Sequence, residues 1–469
     1  MADERQGRSR RATIDKAYDQ RALKYLRVVF PHSMLRTLRV RNYRLFAGSF
    51  LCSGWALQML ATVVLWDLWK QTGDALVLGI AGLARALPVI ALALVAGHAS
   101  DTFSRKRILI ITQMAFIGIA ACFAWASWRH AGPSVWYALL ALSGCVRSFN
   151  GPSRHSLVPL LVPTNTLESA IAWNSGIFQF CAVSGPVIAG SLLQLGMESW
   201  HVLALSAVLL GVATVFAAQL NPAEHTPQRR ALTLRAMLAG MGHIRRERTI
   251  LAALTLDLFG VLLGGATALL PIYADEILNG GPALLGWLKA APYLGALVMA
   301  IWLAVRPTMQ HAGRSLLLSV ALFGLAMIAF GISTAPWLSL LMLFLSGAFD
   351  NISVVIRHTL VQMRTPNELR GRVSAVNSLF IECSNELGAF ESGLVARMFG
   401  PVLSVVSGGV GTLLVVGATA LVFPEVRRLQ RLVPVSDDEA SVGGLANQAV
   451  EVDTRLTGDP PSLPPATMA

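Results

Sequence analysis

The sequence predicts an all-α membrane protein, with twelve transmembrane helices arranged as two parallel six-helix repeats. Three observations predict it. The apolar residues come in blocks of about 20, the length that crosses a bilayer. The chain is 54% hydrophobic and only 14% charged, with a mean hydropathy of +0.58, whereas soluble domains carry about a quarter charged residues. The chain also repeats itself at an offset of 203 residues: Arg154-His155-Ser156-Leu157-Val158 recurs as Arg357-His358-Thr359-Leu360-Val361. At the same offset Pro163 meets Pro366, Asn174 meets Asn377, Gly185 meets Gly388 and Gly190 meets Gly393. An offset of 204 lays Arg85-Ala86-Leu87-Pro88 on Lys289-Ala290-Ala291-Pro292. So long a repeat is no solenoid period, which runs about 20–50 residues. It reads as two halves of one molecule, a common plan for a secondary transporter with its substrate site between the halves.

The elements follow in order. Residues 1–42 form a basic arm, with Arg5, Arg8, Arg10, Arg11, Lys16, Arg21, Lys24 and Arg27 in its first stretch. It lacks an apolar core followed by a small-residue cleavage site, so no cleavable signal peptide is expected. Its charges read as cytoplasmic contacts to anionic lipid, worth about 1 kcal/mol per basic residue near the surface. The first half, 43–220, holds apolar blocks at roughly 45–66, 76–99, 108–128, 134–153, 169–194 and 200–220. A cytoplasmic central loop, 221–249, carries Arg229, Arg230, Arg235, Arg245, Arg246 and Arg248. The second half, 250–423, holds blocks at 250–274, 284–305, 315–333, 336–357, 375–397 and 401–423. Six spans per half return the chain to its starting side, so the repeats are parallel. The polar, Pro-rich segment 424–469 reads as a disordered cytoplasmic tail.

The net charge of +12 is not a nucleic-acid signal, because it gathers on one side. Arg105, Lys106 and Arg107 follow block 2, Arg370 and Arg372 precede block 11, and Arg427, Arg428 and Arg431 follow block 12. On the other side Lys70 and Arg129 are the main exceptions. The positive-inside rule therefore puts both termini and the central loop in the cytoplasm. The five cysteines all lie in apolar blocks, and their spacing fits neither a metal site nor a disulfide framework. There is no Gly-rich phosphate loop with lysine, which excludes ATP as the energy source. Neither a Ser-His-Asp arrangement nor a metal-spaced histidine pair is visible, so no enzyme, metal site or cofactor is expected.

The loop after block 2 reads Gly97-His98-Ala99-Ser100-Asp101-Thr102-Phe103-Ser104-Arg105-Lys106. It resembles the signature of the major facilitator superfamily, G-x-x-x-D-R-x-G-R-[RK]. Gly97, Asp101, Arg105 and Lys106 match, while Thr102 and Ser104 depart from it. A glycine lets two helices approach closely, and a carboxylate at the turn faces the positive N-terminus of a neighbouring helix. The resemblance implies that Asp101 latches the halves against the eleventh helix when the outside gate is open. A generic positive-inside turn is the plain alternative. Finer strings are similar to the bacterial efflux branch that includes the enterobactin exporter and the macrolide efflux proteins: Thr365-Pro366-Asn367-Glu368-Leu369-Arg370-Gly371-Arg372, Ser384-Asn385-Glu386-Leu387-Gly388 and Leu270-Pro271-Ile272-Tyr273. Thr365 also fits a helix N-cap with Pro366 at the first position. Arg370 and Arg372 then stand at the cytoplasmic mouth.

Gly185-Pro186-Val187-Ile188-Ala189-Gly190 resembles the G-P-x-x-G-G element of drug–proton antiporters, with Ala189 in place of glycine. A Gly-Pro pair bends a helix, and in the family the bend goes with efflux. Tight packing through small residues is the other reading. Arg147-Ser148-Phe149-Asn150-Gly151 resembles R-x-x-Q-G, where the arginine modulates proton transfer; contact with an anionic substrate and anchoring near an interface are the other readings. An arginine at mid-membrane depth costs about 2.5–3.5 kcal/mol on insertion scales, so it needs an interior partner.

Further ionisable residues are candidates for moving protons or holding a solute. Glu382 and Glu386 are four apart on one helix face beside Asn385, and close carboxylates do not easily ionise together in low dielectric. Asp257 is the loneliest carboxylate, deep in block 7. Asp350 shares block 10 with Arg357. Arg85 and Lys289 hold equivalent places in the two halves, where they either line the cavity or snorkel to its boundary. The resemblance and the acids together imply an exporter driven by proton antiport. It would carry a small organic solute, bulky like a siderophore or a macrolide drug, and would work as a monomer in a bacterial inner membrane. An importer of the same fold and a non-transporting membrane scaffold are the alternatives.

Overall fold

The computed structural model describes residues 32–222, 234–305 and 311–429. The basic arm up to residue 31 and the tail from residue 430 lie outside the described residues. A short helix α1, His32–Arg39, precedes the first half. That half runs α2 Arg41–Thr72, α3 Ala75–Thr102, α4 Arg105–Trp128, α5 Pro133–Leu157, α6 Leu167–Gln194 and α7 Ser199–Ala218. Local chemistry sets the α2–α3 turn. Gly73 closes α2 in the left-handed region at φ 59°, with its N–H donated to the Trp69 carbonyl. Asp74 opens α3 by accepting from the Leu76 N–H.

The connection between halves is not wholly a loop: α8, Leu234–Arg246, is helical. Gly240 of α8 lies against Arg372, leaving room for helix on helix. The second half runs α9 Arg248–Gly264, α10 Gly281–Val305, α11 Ala312–Ile332, α12 Pro336–Arg364, α13 Asn367–Phe399 and α14 Pro401–Val422, and a single turn, α15 Pro424–Arg428, follows. Block 7 is not one continuous helix. After α9 the backbone passes through a 3-10 turn, Ala266–Leu269, a helical turn, Leu270–Ile272, and a π turn, Tyr273–Ile277. Gly264 and Gly265 weaken the helix and Pro271 removes a hydrogen-bond donor. α13 starts earlier than the apolar block, so Arg370 and Arg372 sit in its first turns rather than in a loop. Thr365 is not its cap. It stays extended at φ −108° and ψ 124°, as a residue before proline prefers, and Pro366 takes the cap position.

The two halves pack by one scheme. In the first, α3 lies on α5, α4 on α7, and α2 on α6 and α7. In the second, α10 lies on α12, α11 on α14, and α9 on α13 and α14. The halves meet along two seams, α3 with α13 and α6 with α10. Each seam is the image of the other under exchange of the halves. The repeated glycines mark the crossings. Gly190 meets the Pro282 backbone on one seam, and Gly393 meets Ala75 and Gly79 on the other, with no space for a Cβ at either.

Ten of the twelve long helices are long and apolar enough to cross a membrane. The exceptions are α5 and α13, with 25 and 33 residues. They fall short in composition, not in length. They are the helices that carry Arg147, Glu382 and Glu386.

Candidate functional site

The contacts that join the halves begin at the end of the bundle where α2 turns into α3. There Lys70 Nζ lies 3.1 Å from Asp275 Oδ2, which also accepts from Trp69 Nε1 at 3.1 Å. Arg397 Nη1 reaches Asp74 Oδ2 at 3.5 Å. The glycine crossings come next, toward the middle of the bundle. Deeper still, Arg85 of α3 pairs with Glu386 of α13, and Arg147 Nη2 of α5 pairs with Glu382 Oε1 at 3.1 Å. On the other seam, Gln179 Nε2 donates to the Tyr293 carbonyl at 2.6 Å, and the Phe178 ring meets Tyr293 edge-on at 6.4 Å. This layer lies about 15–25 Å along the helices at 1.5 Å per residue. The bundle is thus tied at one end and through its middle.

The central layer is charged and lopsided. Glu386 is buried, and Glu382 is half-buried. Each faces its own arginine from the opposite half, so their mutual repulsion is met by two cations. Their repeat mates are Val183 and Gln179 at the 203 offset. Arg147 has Asp350 as its mate, and Arg85 has Lys289. The mate side therefore lacks the two glutamates. Lys289 and Asp350 form no ion pair among the described residues. Lys289 stands in the field of Arg85, and Tyr293 in the fields of Arg147, Arg85 and Asp350. Asn385 is exposed, and its amide donates back to the Ile381 carbonyl at 2.9 Å.

Other candidates lie elsewhere. Asp257 is not lonely: it forms a buried ion pair with Arg357, whose side chain is only 2% exposed. The sequence of α9 alone could not show this, because the partner comes from α12. Arg357 was visible as part of the repeated Arg-His-[Ser/Thr]-Leu-Val string, but a repeat does not announce an ion pair. Tyr293, Gln179 and the outer pairs of Lys70 with Asp275 and Asp74 with Arg397 also had no sequence signal, since each is made across helices. Gly185 rests on Gln58 of α2, Gly190 sits at the seam, and α6 runs uninterrupted through Pro186. The segment read as a loop after block 2 is mostly helical: Gly97 is buried within α3, and Arg105, the first residue of α4, donates to the Ser156 carbonyl at 2.8 Å. Lys106 is half-buried. The Asp101 side chain lies outside the described residues. Arg370 and Arg372 are exposed on α13.

Twelve long helices in two matched halves, meeting around a charged central layer, fit the plan of a membrane transporter. Residues 46–389 match the Major Facilitator Superfamily, and the chain belongs to that family. It is 27% identical over 349 residues to the enterobactin exporter EntS of Escherichia coli O1:K1 / APEC, across 73% of this chain and 82% of that protein. The same identity and coverage hold for the enterobactin exporter EntS of Shigella boydii serotype 18 (strain CDC 3083-94 / BS512). Among solved structures, a mutant of the nucleoside transporter NupG superposes with a TM-score of 0.65 at 14% identity, covering 82% of this chain and 100% of that one. A bacterial homolog of the human lysosomal transporter Spinster, inward-facing and unoccupied, gives 0.64 at 13% identity over 86% and 100%. A D-xylose-proton symporter gives 0.62 at 14% identity over 83% and 99%. These structures share the fold, and two of them are named for different cargoes, a nucleoside and D-xylose.

Proposed function

We propose that the protein exports a bulky organic solute, with siderophores the leading class and macrolide-like drugs next, by proton antiport. The observation that carries this is the pair of central bridges, Arg85 with Glu386 and Arg147 with Glu382. Each ties the halves together through a carboxylate that a proton can neutralise. Glu386 is buried while Arg147 is half exposed, so loss of the Arg85–Glu386 bridge weighs more on the balance between the two states than loss of the Arg147–Glu382 bridge. Proton uptake on Glu382 or Glu386 thus loosens the seam and lets the halves rock apart. Siderophore cargo and the outward direction are supported by the enterobactin exporters at 27% identity. The tied end has few basic loop residues, so by the positive-inside rule it faces outward. We take the opposite end as the open side; it then faces the cytoplasm, where an exporter loads its solute. Asp101 would close that side in the opposite state. The molecule works as a monomer in a bacterial inner membrane, with protons and lipid as its other partners.

The test uses proteoliposomes loaded with enterobactin and given a pH gradient. Wild-type protein should move the solute uphill. Glu382→Gln and Glu386→Gln should lose uphill movement and keep downhill exchange. Indifference of the wild-type protein to the gradient would sink the antiport. In cells, accumulation of the solute in place of its release would show an importer.

A further inference from the structure

Arg154 and Arg357 are one residue of the repeat, yet the halves treat them differently. In the second half Asp257 of α9 neutralises Arg357, and both are buried. The matching stretch of α2 has Ser53 and Gly54 at the 204 and 203 offsets, and no carboxylate. Arg154 instead lies over the Phe50 ring, 4.1 Å from its centroid. It has no ion pair among the described residues, and its surroundings include the cation Arg147 and the thiol of Cys181.

Arg147 lies seven residues back, two turns along the same face of α5. That face is the one that reaches across to Glu382 of the other half. Arg154 is thus about 10 Å further along it, on the open side of the central layer. Arginine inside a membrane bundle is costly and is found with a partner. Its planar fork suits oxyanions, and an aromatic ring can hold one of its faces while the edge donors stay free. Phe50 covers a face here.

We propose that Arg154, seated on Phe50, binds an oxyanion group of the transported solute, which is therefore an organic anion. The second half fills its equivalent place with Asp257, and the first half leaves it for cargo. This rests on the reading of the protein as a transporter that loads from its open side.

The test is binding by purified protein in nanodiscs, with carboxyfluorescein as the anionic probe and rhodamine 123 as a cationic probe on a similar ring skeleton. Wild-type protein should prefer carboxyfluorescein by about tenfold or more. Arg154→Gln should remove that preference and leave rhodamine 123 binding unchanged. Arg154→Lys should keep part of it. Ser53→Asp restores an internal carboxylate and should abolish the preference while the fold, followed by thermal unfolding, stays intact. The proposal is overturned if wild type shows no preference, or if both Arg154→Gln and Ser53→Asp retain it. It is overturned as well if adding phosphatidylglycerol to neutral discs erases it, which would assign Arg154 to a lipid phosphate. Anion binding through Arg154 without pH-driven transport would keep the site and sink the exporter. Transport with an unchanged anion preference in Arg154→Gln would do the reverse.

Discussion

At the scale of single residues, the same residue type carries different burdens at different depths. Asp257 and Glu386 are both acids in apolar helices, and their sequence surroundings do not separate them. The structure does. Glu386 bridges the two halves, so under the proposed mechanism its bond is remade in every cycle. Asp257 bonds to Arg357 within one half, where no cycle asks the pair to part. Asp257→Asn should therefore act on stability, not on coupling. It leaves Arg357 as an uncompensated buried cation, at a cost of about 3–5 kcal/mol. The expected outcome is poor expression and a lowered unfolding temperature, with any surviving protein still coupled to the pH gradient. The double change Asp257→Leu with Arg357→Met should recover most of the stability, because two charges go together. Uncoupled transport by well-folded Asp257→Asn protein would instead place that acid on the proton path. Sequence reading found each acid and could not assign it, because an ion pair is a property of two helices.

At the scale of elements, the apolar blocks located the spans well where the chain is purely apolar. α5 and α13 were located as well, although they are less apolar than the other ten spans, because they carry Arg147, Glu382 and Glu386. The blocks did less well where function intrudes. The seventh span breaks at Gly264 and Gly265, and α13 begins eight residues before its apolar stretch, at Asn367. The repeat was the better guide: residues matched between the halves, Gly190 and Gly393, occupy the two seams. Their small size is what permits the seams to close. Gly190→Leu should wedge α6 from the Pro282 end of α10. Overpacking of this kind costs about 1–3 kcal/mol, and the penalty falls only on the state in which the seam is shut. The tied end should open. Cysteines placed at Leu195 and Gly280 should then react faster with a membrane-impermeant maleimide than in the protein that keeps Gly190. Equal reaction rates would mean the seam has slack that the glycine does not explain.

At the scale of the whole molecule, one asymmetry is built on another. The two halves share a packing scheme, yet their charges differ: Glu382 and Glu386 have Gln179 and Val183 as mates. A perfectly symmetric pair of halves would bind a proton equally on both seams. This one concentrates the bridges on the α5 and α13 side and leaves Lys289, Asp350 and Arg154 without ion pairs among the described residues. Which face of the membrane the open side meets decides what that arrangement is for, and the distribution of basic residues supplies the answer to be tested. Six spans, α2 to α7, lie between the N-terminal side and the central connection, so Gln219 should lie on the cytoplasmic side. One more span carries the chain to Ile277, on the outer side. Green fluorescent protein fused after Gln219 should fluoresce, since it folds inside the cell. Alkaline phosphatase fused after Ile277 should be active, since it matures outside. The reverse pattern would turn the whole bundle over. The tied end would then face the cytoplasm and the open side would collect solute from outside, which is the loading state of an importer.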